Sequence, residues 1–252
     1  MATLLLRLAA PLQAWGADSK FETRRTLPYP TKSGVIGMLA AALGISREDD
    51  EALKRLSELK FGIRIDKEGE LLRDYHTAVG EKPYITNRYY LSDAIFVAGF
   101  ESEDNELLSK LEYALKNPVF PLFLGRRSCP PTMPLVLGIQ EKDILSALKE
   151  EPWQLDVTTF GIAKSQLTGN CPHPSLRLNA SRQRASLGKL RIITDGTAEE
   201  AFSVLQDVPV SFSKKHRKFT WRNVKDHGYV DKMPMTDIVE TVTLHDPFTE
   251  LG

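Results

Sequence analysis

Apolar and polar positions alternate with different periods along this 252-residue chain, and each change of period marks an element. Thr3 to Ala9 is a short, nearly unbroken apolar run, the pattern of a buried strand. Ser33 to Leu43 is apolar at helical spacing and stops at Gly44, a residue suited to the left-handed position after a helix. Asp49 to Leu59 follows as an acidic amphipathic helix. Phe61, Ile63 and Ile65 then alternate with Gly62, Arg64 and Asp66, which predicts a half-buried strand ending in the turn "DKEGE".

Leu71 to Thr77 reads as a returning strand, after which Ala78 to Asn87 carries Gly80 and Pro83 and loses its period. "RYYLSDAIFVAGF" predicts one long strand. Asn105 to Leu115 puts Leu107, Leu108, Leu111 and Leu115 on one helical face, and Leu135 to Ile139 is a further strand. The order β-α-β-β-α-β is that of a split βαβ, ferredoxin-like unit, so the predicted class is α+β. A domain over residues 1–140 is expected, with an excursion at about 73–92. Residues 141–252, with short strands at "WQLDVTTF", "KLRIITD" and "FTWRNV", form a smaller, mostly-β subdomain packed on it.

Composition adds bounds. With 42% hydrophobic and 26% charged residues the chain is globular, and no stretch reaches the ~20 apolar residues of a membrane span, so a cytoplasmic protein is expected. Cys129 and Cys171 stand far apart without neighbouring ligands at zinc spacing, which predicts two free thiols, no metal site and no cofactor.

The net charge is zero, but the charges are sorted. Val157 to Thr194 and Val208 to Lys225 contain no acid while holding six Lys or Arg each, and between Tyr113 and Gln140 the only charges are Lys116, Arg126 and Arg127. Three acid-free basic blocks in a neutral chain favour a polyanionic partner over a set of solvated faces.

Four stretches could carry that chemistry. "TLPYPTKSGVIGMLAAALG" offers the first turn of a helix with Lys32 and Ser33 beside it, suited to a phosphodiester. Pro28 and Pro30 remove the N–H donors that a nucleotide-hydrolysing phosphate loop needs, and the same stretch serves equally as a Ser-capped helix with a surface lysine. "FLGRRSCPPTMP" places Arg126 and Arg127 after Gly125, where the backbone can approach a ligand closely. "RDYHTAVGEKPYITNRYY" interleaves cations with tyrosines, a surface suited to stacking single-stranded bases. "SKKHRKFTWRNVK" does the same with Phe219 and Trp221, whose alternation also fits core positions of a strand.

"LRLAAPLQAWG", "PTKSGVIGMLAAALGI", "LRDYHTAVG", "YYLSDAIFVA" and "LFLGRRSCPPTMPLVLG", in this order, closely resemble the CasD family, the fifth core CRISPR-associated family as it occurs in type I-E Cascade. The resemblance is dense from Leu4 to Gly138 and extends through "VPVSF" and "FTWRNV". It implies a ferredoxin-like, RAMP-type domain with a protruding β-hairpin thumb, bound to the 5′ handle of the CRISPR RNA (crRNA) at one end of the Cascade filament. Implied partners are the backbone subunit, the large subunit, and target DNA through the assembled complex.

The expected RNA-contacting residues are Gln13, Trp15, Arg24, Arg25, Lys32, Ser33, Tyr75, His76, Arg88, Gly125, Arg126, Arg127, Ser128, Lys214, Lys215, His216 and Arg217. Relatives in another subtype cut precursor RNA without metal through Tyr, His and Lys side chains, and Tyr75, His76, Lys215 and His216 are available here. A lone His in a basic block more often contacts phosphate, so a non-catalytic RNA-binding scaffold is expected, with a metal-independent endoribonuclease as the alternative. The basic blocks disfavour a third class, a protein-interaction subunit without RNA contact.

Overall fold

The N-terminal apolar run forms β1 (Ala2–Ala9), buried on both faces, with Leu4, Leu6 and Leu8 in one core and Leu5 in another. In the computed structural model, which describes residues 1–16, 23–78, 84–154, 189–213 and 215–231, β1 is followed by β2 (Leu12–Gln13), β3 (Thr23–Arg24), α1 (Lys32–Leu43) and α2 (Asp50–Ser57). Next come β4 (Lys60–Lys67), β5 (Glu70–Ala78), β6 (Tyr84–Ser92), β7 (Ile95–Ser102), α3 (Asn105–Lys116), β8 (Val136–Gln140) and α4 (Ile144–Glu150). The described chain closes with β9 (Lys189–Asp195), β10 (Ser203–Ser211) and β11 (Lys218–Asp231).

Among the described residues a seven-stranded sheet runs in the order β10-β11-β9-β4-β7-β1-β8, every neighbouring pair antiparallel. The architecture is mixed α/β with mostly antiparallel sheets. Helices α1 and α3 pack together on one face over the larger core, which includes Leu4, Phe61, Phe96 and Phe100, while α4 covers the other face through Ile144, Ala147 and Leu148. Residues from 189 onward, expected as a subdomain packed on the first, add to the first sheet edge-on, β9 pairing directly with β4. Their backbone donors and acceptors thereby complete the β4 edge. The strand expected at "WQLDVTTF" lies outside the described residues from Leu155 onward.

Three local expectations change. Helix α1 begins at Lys32, not Ser33, because Thr31 is the N-cap and accepts the Gly34 N–H at 3.2 Å; Gly44, at φ 73°, ends it as expected. Strand β4 is buried on both faces, since α4 seals the side expected to face water, and a Cβ on Gly62 would stand 2.9 Å from Ile144. The long strand expected in "RYYLSDAIFVAGF" divides at Asp93, whose φ of 55° turns the chain, so β6 and β7 lie in different sheets.

The excursion is therefore a regular element. Strands β5 and β6 pair in unbroken register from Glu70↔Ser92 to Ala78↔Tyr84. The other edge of β6 takes β2 antiparallel near its end and β3 in parallel at Asn87 and Arg88. No helix of the described residues is long and apolar enough to cross a membrane.

Candidate nucleic-acid interface

The loop after α3 folds back on the N-terminal segment. The Leu124 N–H donates to the Cys129 carbonyl at 2.8 Å, and the Cys129 N–H donates to the Arg126 carbonyl at 2.9 Å, which closes Arg126 into a tight turn. The Ala14 N–H in turn donates to the Leu124 carbonyl at 3.2 Å. Gly125 has φ 88°, and a Cβ there would lie 1.7 Å from the Ala14 carbonyl oxygen. Only glycine fits where the two backbones cross. Cys129 is a buried free thiol, pushed up in pKa chiefly by that burial, and so is a packing group; Cys171 lies outside the described residues.

The turn lays the Arg126 guanidinium over the Tyr90 ring, 4.7 Å from its centroid. Arg126 Nη2 donates to the Arg24 carbonyl at 3.0 Å, whereas the buried Nη1 has no protein acceptor among the described residues. The Tyr90 hydroxyl meets Ser128 Oγ at 3.4 Å. Arg88 precedes Tyr90 by two residues on the same face of β6, and among the described residues its buried Nε also has no acceptor. Between loop and hairpin lies a cleft of about 580 Å³ whose walls include Leu12, Leu72, Asp74, Arg88, Tyr90 and Ser128. Two cations with unfilled donors beside an aromatic ring can hold a phosphate and an unstacked base.

Other expected residues sit elsewhere. Gln13 and Trp15 are buried: the Gln13 amide donates to the Leu8 and Ala94 carbonyls at 3.1 and 2.7 Å and accepts the Trp15 indole N–H at 3.1 Å. They support the loop from inside and present nothing to a ligand. Lys32 also faces inward. Its side chain is buried against Asp195 at 2.9 Å, and its backbone N–H donates to Asp207 at 2.8 Å. The positive end of α1 is thus already matched by carboxylates of this chain. Ser33 lies one residue inside that helix.

Arg24, Arg25 and Arg127 are exposed around the loop. Tyr75 and His76 are exposed on successive positions of β5 and so point to opposite faces of the hairpin. Lys215, His216 and Arg217 are exposed in the β10–β11 connection, where the Arg217 guanidinium lies 5.9 and 5.7 Å from the Phe212 and Phe219 ring centroids; Lys214 lies outside the described residues. The hairpin therefore does not bring the would-be catalytic set together. Trp221, weighed as a core position, is exposed.

Two basic blocks find their acids through folding. Arg222 binds Asp207 at 2.6 Å and Asp195 at 2.7 Å; burial pulls its pKa down, but these carboxylates outweigh that and hold it above the ordinary guanidinium value. Arg191 pairs with Asp226 at 2.6 Å and Lys225 with Glu200 at 2.7 Å. Most of the Val157 to Thr194 block lies outside the described residues. Sequence reasoning named Tyr90 only as one of a run of tyrosines and missed Asp74 and Leu72 as cleft walls. The strand period of "LLRDY" and "NRYYL" was the available signal, since it sorts them onto one face. Among the described residues no group of three or more His, Cys, Asp or Glu could hold a metal ion.

Comparison with known proteins bears on the family to which the chain belongs. The family model described as "CRISPR-associated protein (Cas_Cas5)" matches residues 3–225. The "CRISPR system Cascade subunit CasD" of Escherichia coli (strain K12) is 41% identical over 159 residues, 54% of this chain and 70% of that protein. The solved "Crystal structure of Cas protein" is 35% identical, with a TM-score of 0.63 over 91% of this chain and 95% of that one. The solved "CRISPR RNA-guided surveillance complex" contains a chain 30% identical, with a TM-score of 0.69 over 91% of both chains. A family match across both the described sheets, together with these identities, makes this chain a member of the CRISPR-associated Cas5 family, in its CasD group.

Proposed function

We propose that this chain is a non-catalytic, RNA-binding subunit of a type I-E Cascade complex, holding the 5′ handle of the crRNA and capping the backbone filament. The observation that carries this reading is the Arg126 guanidinium fixed over Tyr90, with its Nη2 donating to the Arg24 carbonyl and its buried Nη1 without an acceptor among the described residues, while Arg88, two residues before Tyr90, has a buried Nε in the same condition. A buried charged donor without an acceptor is costly, and a phosphate oxygen is the acceptor that an RNA backbone would bring. Membership of the CasD group supports Cascade as the assembly.

On this reading the strands β4-β7-β1-β8 with α1 and α3 are a ferredoxin-like, RAMP-type unit, and the β5–β6 hairpin is its thumb. The backbone subunit and the large subunit are its protein neighbours, target DNA is reached through the complex, and the site of action is the cytoplasm. The separation of Tyr75 from His76 across the hairpin, and of both from the β10–β11 connection, supports a scaffold over an endoribonuclease.

Co-expression with the neighbouring subunits, followed by sequencing the 5′ ends of co-purifying RNA, tests the proposal. One uniform repeat-derived 5′ end is expected; random ends would overturn handle binding. Incubation of the purified chain with precursor RNA and chelator is expected to release no 2′,3′-cyclic phosphate product. Its appearance, and its loss in His76→Ala or His216→Ala, would establish the endoribonuclease instead.

A further inference from the structure

We propose that the cleft between hairpin and loop is base-selective, and that Asp74 is the residue that selects, by accepting two adjacent N–H donors from an unstacked guanine. This rests on the RNA-binding reading above and adds a choice of base to it. Asp74 is partly buried, lines the cleft with Arg88, Tyr90 and Ser128, and stands directly opposite Arg88 in the β5–β6 register. In spite of that placement no ion pair forms between them. Arg73, the preceding residue, turns to Asn87 Oδ1 at 2.9 Å and leans over the Tyr75 ring at 5.9 Å. The carboxylate is therefore left without a partner among the described residues, in a cleft whose other charged walls are arginines.

For a surface that only collects phosphates this is the wrong charge, since a carboxylate repels the backbone that Arg88 and Arg126 attract. What a carboxylate does is accept hydrogen bonds through two oxygens. The Watson–Crick edge of guanine presents N1–H and the N2 amine side by side, matched to those two oxygens. Adenine and cytosine each offer one amine beside a ring nitrogen acceptor that the carboxylate repels, and uracil offers one N–H between two carbonyls.

The rest of the cleft suits a single nucleotide. Its volume of about 580 Å³ is that of a small-ligand site, and Leu12 and Leu72 give it an apolar wall. Arg88 Nε, two residues from Tyr90 and without an acceptor among the described residues, is placed for the phosphate of the same nucleotide. Arginine thus supplies affinity, and Asp74 supplies the discrimination that phosphate contacts cannot.

The test measures binding of the full-length chain, by fluorescence anisotropy, to oligouridine octamers that are unmodified or carry one central G, A or C. The G octamer is expected to bind about tenfold more tightly than the others, the range of a bidentate base contact. Asp74→Asn, which also removes the repulsion of the RNA backbone, is expected to bind oligouridine at least as tightly as the unaltered chain while bringing all four octamers to a common value. Equal binding of the four octamers by the unaltered chain, or a G preference that survives Asp74→Asn, would overturn the proposal. So would a preference for these octamers over their deoxyribose counterparts, measured alongside, that is the same for every base and that Asp74→Asn removes, since the carboxylate would then be reading the 2′-OH. Failure of the unaltered chain to bind any octamer would instead take down the RNA-binding reading, and the selectivity with it.

Discussion

The backbone N–H of Lys32 donates to the Asp207 carboxylate at 2.8 Å across 175 residues of sequence, and this bond fastens the start of α1 to strand β10. Asp207 also takes both Nε and Nη2 of Arg222, whose Nη1 reaches Asp195, and Asp195 closes the circuit on the Lys32 ammonium and the Phe61 N–H. Two carboxylates and two cations thus join the C-terminal strands to the N-terminal core. Asp207→Ala leaves the Arg222 guanidinium buried and under-compensated and is expected to lower unfolding free energy by about 3–5 kcal/mol in urea denaturation. Lys32→Met leaves Asp195 its bonds to Arg222 and Phe61 and is expected to cost under about 2 kcal/mol. The same variant should leave the salt dependence of RNA binding unchanged; a shallower slope would return Lys32 to the RNA site.

Gly125→Ala tests the crossing of the loop over Ala14. The added Cβ meets a carbonyl oxygen, and the backbone conformation disfavours any side chain, so the loop must move. Expected are a loss of about 1–3 kcal/mol in stability and weaker RNA binding, because Arg126 is carried off Tyr90. Retention of affinity in thermal-shift and binding measurements would show that the turn geometry is not needed.

Arg126→Ala with Arg127→Ala removes two cations from the loop and uncovers the buried Tyr90 ring, so thermal unfolding is measured first to confirm that the variant is folded. Every phosphate that the loop no longer neutralises reduces the slope of log affinity against log salt by about 0.7, so a drop of about 1.4 is expected when affinity is titrated from low to high salt. An unchanged slope would exclude the loop as a phosphate-binding element.

The hairpin can be shortened where its register allows. Replacing His76 to Thr86 by an Asn-Gly turn keeps Arg88, Tyr90 and Leu91, the last two of which are buried, together with the β2 pairing. A nearly unchanged melting temperature is expected, with loss of the chain from the assembled complex on size-exclusion chromatography. Full retention would mean that the hairpin tip holds neither RNA nor neighbours.

His227 provides a pH dependence. Burial is the largest cause, with Lys225 and Lys149 adding to it against Asp226 and Glu200, and together they hold the imidazole below its ordinary value near 6.5. As pH falls, the unfolded chain takes up this proton before the folded one. The stability contribution is therefore complete above about pH 6.5 and is lost as pH drops through the folded pKa. His227→Gln is expected to flatten the melting temperature in that window. The contribution of Asp226, also depressed, lies in the acid range and should persist.

Much of the scaffold was legible in local pattern. Strand β1, helices α2 and α3, and the Gly44 end of α1 follow from apolar spacing and cap residues that act within a few positions. The Gly125-Arg126-Arg127 turn was also visible, because glycine before paired arginines marks a close backbone approach wherever it falls. The five collinear blocks carried the family.

What the sequence could not decide was which charges and polar groups remain available. Arg64 alternates with isoleucines as a solvent-facing residue would, yet it is fully buried, paired with Asp66 and donating to carbonyls of Leu148, Glu151 and Pro152 at the end of α4. Lys32 opens a helix like an anion receptor, yet Asp195 and Asp207 fill the site. Gln13 sits in a block that resembles an RNA-binding family, yet bonds only inward. Secondary structure is set largely by interactions a few residues apart, which leave a periodic trace. The fate of a charge depends on acids 163 or 175 residues away that arrive only when the sheet closes, and that information has no period along the chain.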